Sequence, residues 1–126
     1  MTTRLRRIQI VLALATAVLM AGSAWAQWQA LDFEQITVAN TAIGFTTAKI
    51  TPASGNPMNR ATCYLETAEI RYTVNGTTPT STVGMIWAVN TEKTLVGHDV
   101  LVAFRGIRDS GTSGQLDCTY SSGGSH

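Results

Sequence analysis

Chemistry-bearing residues are scarce in this chain. Histidine occurs twice, cysteine twice and proline three times, and charged residues make up 13% of the 126 positions, about half the usual share. The formal net charge is +1, so no strong field gathers nucleic acid or an acidic partner. The sequence has no G-x-S-x-G elbow, no H-x-x-x-H or C-x-x-C spacing, no EF-hand loop and no glycine-rich turn opening a helix. These absences speak against an enzyme, a metal centre, a cofactor and a nucleic-acid binder. Asp109-Ser110-Gly111 sets one carboxylate beside glycine, too few for a calcium loop. Glu66 and Glu69 are the closest carboxylate pair. They flank a bend expected at Thr67-Ala68 and read as solvated glutamates. His98 and Asp99 precede an expected strand, where adjacent residues face opposite ways, so they form no dyad and His98 reads as a turn residue.

The N-terminus carries an address. Arg4, Arg6 and Arg7 form a basic start, Ile8 to Ala21 is almost wholly apolar, and Ala24-Trp25-Ala26 offers small residues at both positions of an A-x-A site. Together these make a secretory signal peptide over residues 1–26, cut between Ala26 and Gln27. The apolar run is shorter than the roughly 20 residues a spanning helix needs. Export to the periplasm or the exterior follows, with no membrane attachment after cleavage. Loss of the three arginines leaves six basic against eight acidic residues, a formal charge of −2.

Cys63 and Cys118 remain after cleavage. In an oxidising compartment an even pair reads as a disulfide, with two buried free thiols as the alternative. In Ala61-Thr62-Cys63-Tyr64-Leu65 and Leu116-Asp117-Cys118-Thr119-Tyr120 each cysteine shares a face with two apolar neighbours, so both point to the core if these runs are strands.

Short runs rich in threonine, valine and isoleucine, divided by turn residues, predict an all-β fold. The expectation is a small antiparallel β-sandwich, Ig-like or jelly-roll-like, over 27–120, with a loose tail over 121–126. Eight strands are expected: Glu34–Ala39, Ala42–Thr47, Arg60–Thr67, Glu69–Val74, Gly84–Val89, Lys93–Val96, Asp99–Arg105 and Gln115–Tyr120. Ile70, Tyr72 and Val74 share one face of their strand. Asn75-Gly76 is a strong turn signal, because both residues tolerate positive φ. Asn75-Gly76-Thr77 is also an N-glycosylation acceptor pattern. Tyr72, Tyr120, and Trp87 together with Met85 and Val89, are read as core. Trp28, near the mature N-terminus with Leu31 and Phe33, reads as a plug on the sandwich or as an inter-subunit arm.

The run Ile70-Arg71-Tyr72-Thr73-Val74-Asn75-Gly76-Thr77-Thr78-Pro79-Thr80 resembles an "I-x-Y-T-x-D/N-G-T-x-P-T" hairpin. Chitobiase C-terminal-like modules, which are appended to secreted polysaccharide-active enzymes, carry such a hairpin. Over most of the mature chain a longer resemblance is to small β-sandwich virion proteins of tailed bacteriophages. Its pieces here are Thr41-Ala42-Ile43-Gly44-Phe45-Thr46, Asn59-Arg60-Ala61, the hairpin, Gly84, Phe104-Arg105-Gly106-Ile107 and Leu116 to Tyr120. That resemblance implies a non-enzymatic sandwich that packs against copies of itself or a neighbouring structural protein, and it supplies no catalytic residue. The export signal and the cysteine pair set this chain apart from that family, and point to a particle or filament built outside the cytoplasm. The hairpin resemblance implies the alternative, a secreted carbohydrate- or surface-binding module with a polysaccharide partner.

Overall fold

The computed structural model describes residues 29–123. Ala24, Ala26 and Gln27 of the cleavage site, and Trp28 of the arm, lie outside the described residues. Seven strands and two short helices follow in the order β1 (Gln29–Val38), α1 (Thr47–Ile50), β2 (Arg60–Glu66), β3 (Ile70–Thr73), β4 (Met85–Trp87), β5 (Glu92–Val96), α2 (His98–Ala103), β6 (Arg105–Arg108) and β7 (Gly114–Ser122). They form two antiparallel sheets, one in the order β1-β7-β2-β5 and the other β4-β3-β6. The fold is the expected small all-β sandwich. Among the described residues no helix is long and apolar enough to cross a membrane.

The core lies between the sheets, and strand alternation builds it. Ala61, Cys63 and Leu65 of β2 and Leu116, Cys118 and Tyr120 of β7 are fully buried, while the residues between them face outward. Period-2 alternation requires this of strands with one wet face. Ile70, Tyr72 and Trp87 close the core from the second sheet. Tyr72 meets Trp87 edge-on at 5.4 Å, and Phe45 stacks on Phe104 at 4.3 Å. Offset and edge contacts of this kind add to the large apolar area that each ring buries.

Cys63 and Cys118 face each other across the β2–β7 ladder and are bonded. The bridge therefore lies within one sheet, between its two central strands. The chain between the cysteines contains β5, α2 and all three strands of the second sheet.

Three segments depart from the sequence reading. Ala42–Thr47 is not a strand. It makes one bridge, Ile43 to Gly106, and then turns into α1. Phe45 must leave an extended path to stack on Phe104, and a Cβ at Gly44 would stand 2.9 Å from the Phe104 carbonyl. Asp99–Arg105 is not a strand either. Residues 98–103 form α2 and Arg105 begins β6. The run Val100 to Phe104 is apolar throughout, and a short apolar run has no periodicity that separates helix from strand. Packing decides here: Leu101 is fully buried while Val102 is half exposed. Last, β7 continues to Ser122, two residues into the expected loose tail, with Ser121 buried.

Candidate functional site: two margins of the sandwich

Among the described residues no group of three or more metal-ligating side chains gathers. Glu66 and Glu69 sit on either side of a tight bend in which Thr67 has φ +76° and the Ala68 N–H donates to the Glu66 carbonyl. Asp109 is held by Arg71, with Nε 2.6 Å from Oδ1. His98 is not a solvated turn residue. It opens α2 half-buried, with Nδ1 2.8 Å from the Met58 carbonyl. Glu69 and Asp109 are joined only through the backbone, the Asp109 N–H donating to the Glu69 carbonyl at 3.2 Å. What the fold does present is surface, and it differs sharply between the two margins.

One margin is formed by β1 and β6. β1 runs from Gln29, several residues earlier than expected, and carries a bulge between Ala30 and Asp32 at Leu31. Beyond the bulge Ile36 and Val38 point inward, whereas Leu31 and Phe33 are 50% and 56% exposed. Phe33 stands at the free edge of the strand, yet its backbone is occupied. Its N–H donates to Asp32 Oδ1 at 2.7 Å, and its carbonyl accepts from Lys49 Nζ at 2.9 Å. Lys49 also pairs with Asp32 at 2.8 Å. This hydrogen bonding and the Lys49 charge hold the Asp32 carboxyl below its ordinary range. Next along the strand, Glu34 accepts from the Thr46 N–H at 2.9 Å, from the Thr46 hydroxyl at 2.6 Å and from the buried Tyr120 hydroxyl. Burial first, and then this carboxylate, pushes Tyr120 far above the usual phenol range. Two acidic side chains of β1 thus clamp residues 46–49 against it. The preceding stretch covers β6: Ala39 accepts from the Arg108 N–H, and Ile43 exchanges both backbone bonds with Gly106. Bulges and charged caps are the devices by which native sheets protect an edge from foreign strands.

The opposite margin is formed by β4 and β5, joined through 88–91. Trp87 Nε1 donates to the Thr91 carbonyl, and Lys93 lies over the Trp87 ring at 5.9 Å. Among the described residues no backbone ladder covers the outer edge of either strand. Val83, Met85, Ile86 and Val89 are all substantially exposed, and Val96 of β5 is 62% exposed. Trp87 is core as expected, but Met85 and Val89 are not. β4 is only three residues long and has no strand beyond it, so Met85, although on the Trp87 face, overhangs the core.

The outer face of the four-stranded sheet is a third feature. Register aligns Phe33, Thr119, Thr62 and Thr94 in one row, and Gln35, Asp117, Tyr64 and Glu92 in the next. Tyr64 is exposed, whereas Asp117 beside it has a buried carboxylate oxygen with no partner among the described residues. In the hairpin region only Gly76 has positive φ. Asn75 acts through its side chain instead, accepting from the Thr77 N–H at 3.1 Å. β4 is reached only after a long connection in which Pro79 is buried.

Leu31 and Phe33 were legible as candidates. The Lys49 cap was not, because nothing in the local pattern reveals that a lysine sixteen residues further on returns to the Phe33 carbonyl. No family model, curated protein or solved structure matches the chain.

Proposed function

We propose that the chain is an exported, non-enzymatic assembly subunit that joins head to tail. The apolar side chains at the start of β1 on one copy would seat on the bare β4–β5 margin of the next. One observation carries this reading: the sandwich has two different exposed apolar sites on opposite margins. A single self-complementary patch closes a dimer, whereas two distinct patches generate rings or open filaments. The Asp32–Lys49 cap makes the β1 contact one of side chains rather than of strand pairing at Phe33. The disulfide is compatible with an oxidising compartment, and the N-terminal arm including Trp28 would extend the same contact.

Complementation tests the reading. Phe33→Asp removes one site and Ile86→Asp the other. Each variant alone is expected to be monomeric by size-exclusion chromatography with light scattering. An equimolar mixture is expected to form a dimer and stop there, because one intact site remains on each partner. Wild-type protein that stays monomeric at high concentration, or variants that fail to pair, would sink the idea.

A second reading rests on the outer sheet face. Tyr64 offers an exposed ring on which a polysaccharide could stack. Retention on insoluble polysaccharide that Tyr64→Ala abolishes would favour this binding module.

A further inference from the structure

We infer that the open end of the interlayer space beside Arg108 binds a small ligand bearing an oxyanion. The inference is independent of how copies assemble. Arg108 is the last residue of β6 and pairs in register with Ile70, which is fully buried. Directly opposed residues share a face, so Arg108 lies on the core-facing side of its strand, at the strand's end. Its backbone is fixed by the bond to Ala39. Its side chain is half-buried and has no hydrogen-bond or ion-pair partner among the described residues. Its guanidinium donors are therefore free to meet an acceptor that arrives from solution.

Arg108 lines a cavity of about 400 Å³, within the range of small-ligand sites. Asn40, Thr80, Ser81, Asp109 and Ser110 complete the polar part of its wall. The Asp109 carboxylate does not neutralise Arg108, because Arg71 already engages it. The Thr80 hydroxyl oxygen accepts from the N–H groups of Val83 and Thr82, at 3.0 Å and 3.2 Å. That hydroxyl also lies 3.4 Å from the Thr82 hydroxyl, so the free donors on the wall are those of Ser81, Ser110 and Asn40. A planar guanidinium fork ringed by hydroxyl and amide donors suits a carboxylate or a phosphate bidentately. The cavity's size suits inorganic phosphate or a single acidic sugar ring.

Amide NMR titration at constant ionic strength tests this, with inorganic phosphate, glucuronate and neutral glucose as probes. Saturable shifts at Ser81, Ser110 and Gly111 are expected with at least one oxyanion and not with glucose. A response to phosphate alone assigns a tetrahedral oxyanion, and a response to glucuronate alone an acidic sugar. Arg108→Gln should weaken binding at least roughly tenfold, with an otherwise native spectrum, while Arg108→Lys should retain part of it. No saturable response, an equal response to glucose, or unchanged affinity in Arg108→Gln would overturn the assignment.

Discussion

The two margins of this sandwich solve the same physical problem in opposite ways. Every open sheet ends in a strand with unpaired backbone groups. On the β1–β6 side, a bulge, the Asp32–Lys49 cap and the backbone bonds of Ala39 and Ile43 to β6 blunt the edge. On the β4–β5 side the edges stay bare and are dressed with valine, methionine and isoleucine. The contrast teaches that the protection is local rather than a property of the fold. The β4–β5 margin relies only on a three-residue edge strand and Lys93, beside a row of exposed apolar side chains.

The largest expected effect comes from the bridge that both margins share. Opening it by Cys63→Ala with Cys118→Ala releases a loop of 55 residues and should lower stability by about 4 kcal/mol in the chain-entropy treatment. Both strands of the bare margin lie inside that loop and β1 lies outside it. Hydrogen exchange should therefore rise more in β4 and β5 than in β1. An equal rise on both sides would break the comparison.

Phe45 anchors the guarded margin, buried against Phe104 and Tyr120. Phe45→Ala should cost about 3 kcal/mol, the low end for a buried aromatic, read from urea denaturation. Amide protection should fall first over residues 39–50. If the bare margin loosened instead, Phe45 would not be the anchor of the guard.

The smallest effect on stability, and the most informative about the margin, is expected at Lys49. Lys49→Ala frees the Phe33 carbonyl and should raise self-association in sedimentation velocity at nearly unchanged melting temperature. Acid should act in the same direction. The Asp32 carboxyl is depressed in the folded state, so its contribution is complete above the ordinary carboxylate pKa of about 3.9. It is lost as pH falls through the lowered folded value. Association that rises below about pH 4 in wild type, and is already high at neutral pH in Lys49→Ala, would sharpen the contrast. Association indifferent to both would remove the guarding role.

How much of this was legible in the sequence depended on the range of the interaction. Cys63, Cys118, Tyr72, Tyr120 and Trp87 were placed on the correct faces because a strand of period 2 leaves each side chain only two choices. The helix at 98–103 was missed because Val100 and Val102 favour strands locally, and only burial of Leu101 against the sheets makes the turn of helix worthwhile. Met85 and Val89 were misplaced because alternation gives the direction of a side chain but not the width of the sheet beneath it. Of the surface features, exposed Leu31 and Phe33 could be suspected from β1 alone. The cap on Phe33, the isolated charge of Arg108 and the pairing of Tyr64 with Asp117 all depend on register between distant segments, which no local pattern encodes.

The position of the disulfide also decides how the domain would carry a pull. Gln29 and Ser122 are paired at the same end of the β1–β7 ladder, so tension on the two chain ends peels that ladder bond by bond rather than shearing it. Peeling should stop at Cys63–Cys118. The 55-residue separation behind that bond, roughly 190 Å if fully extended, never comes under load. A copy strung between neighbours would lengthen at its first strand while the second sheet, inside the covalent ring, is shielded from the force.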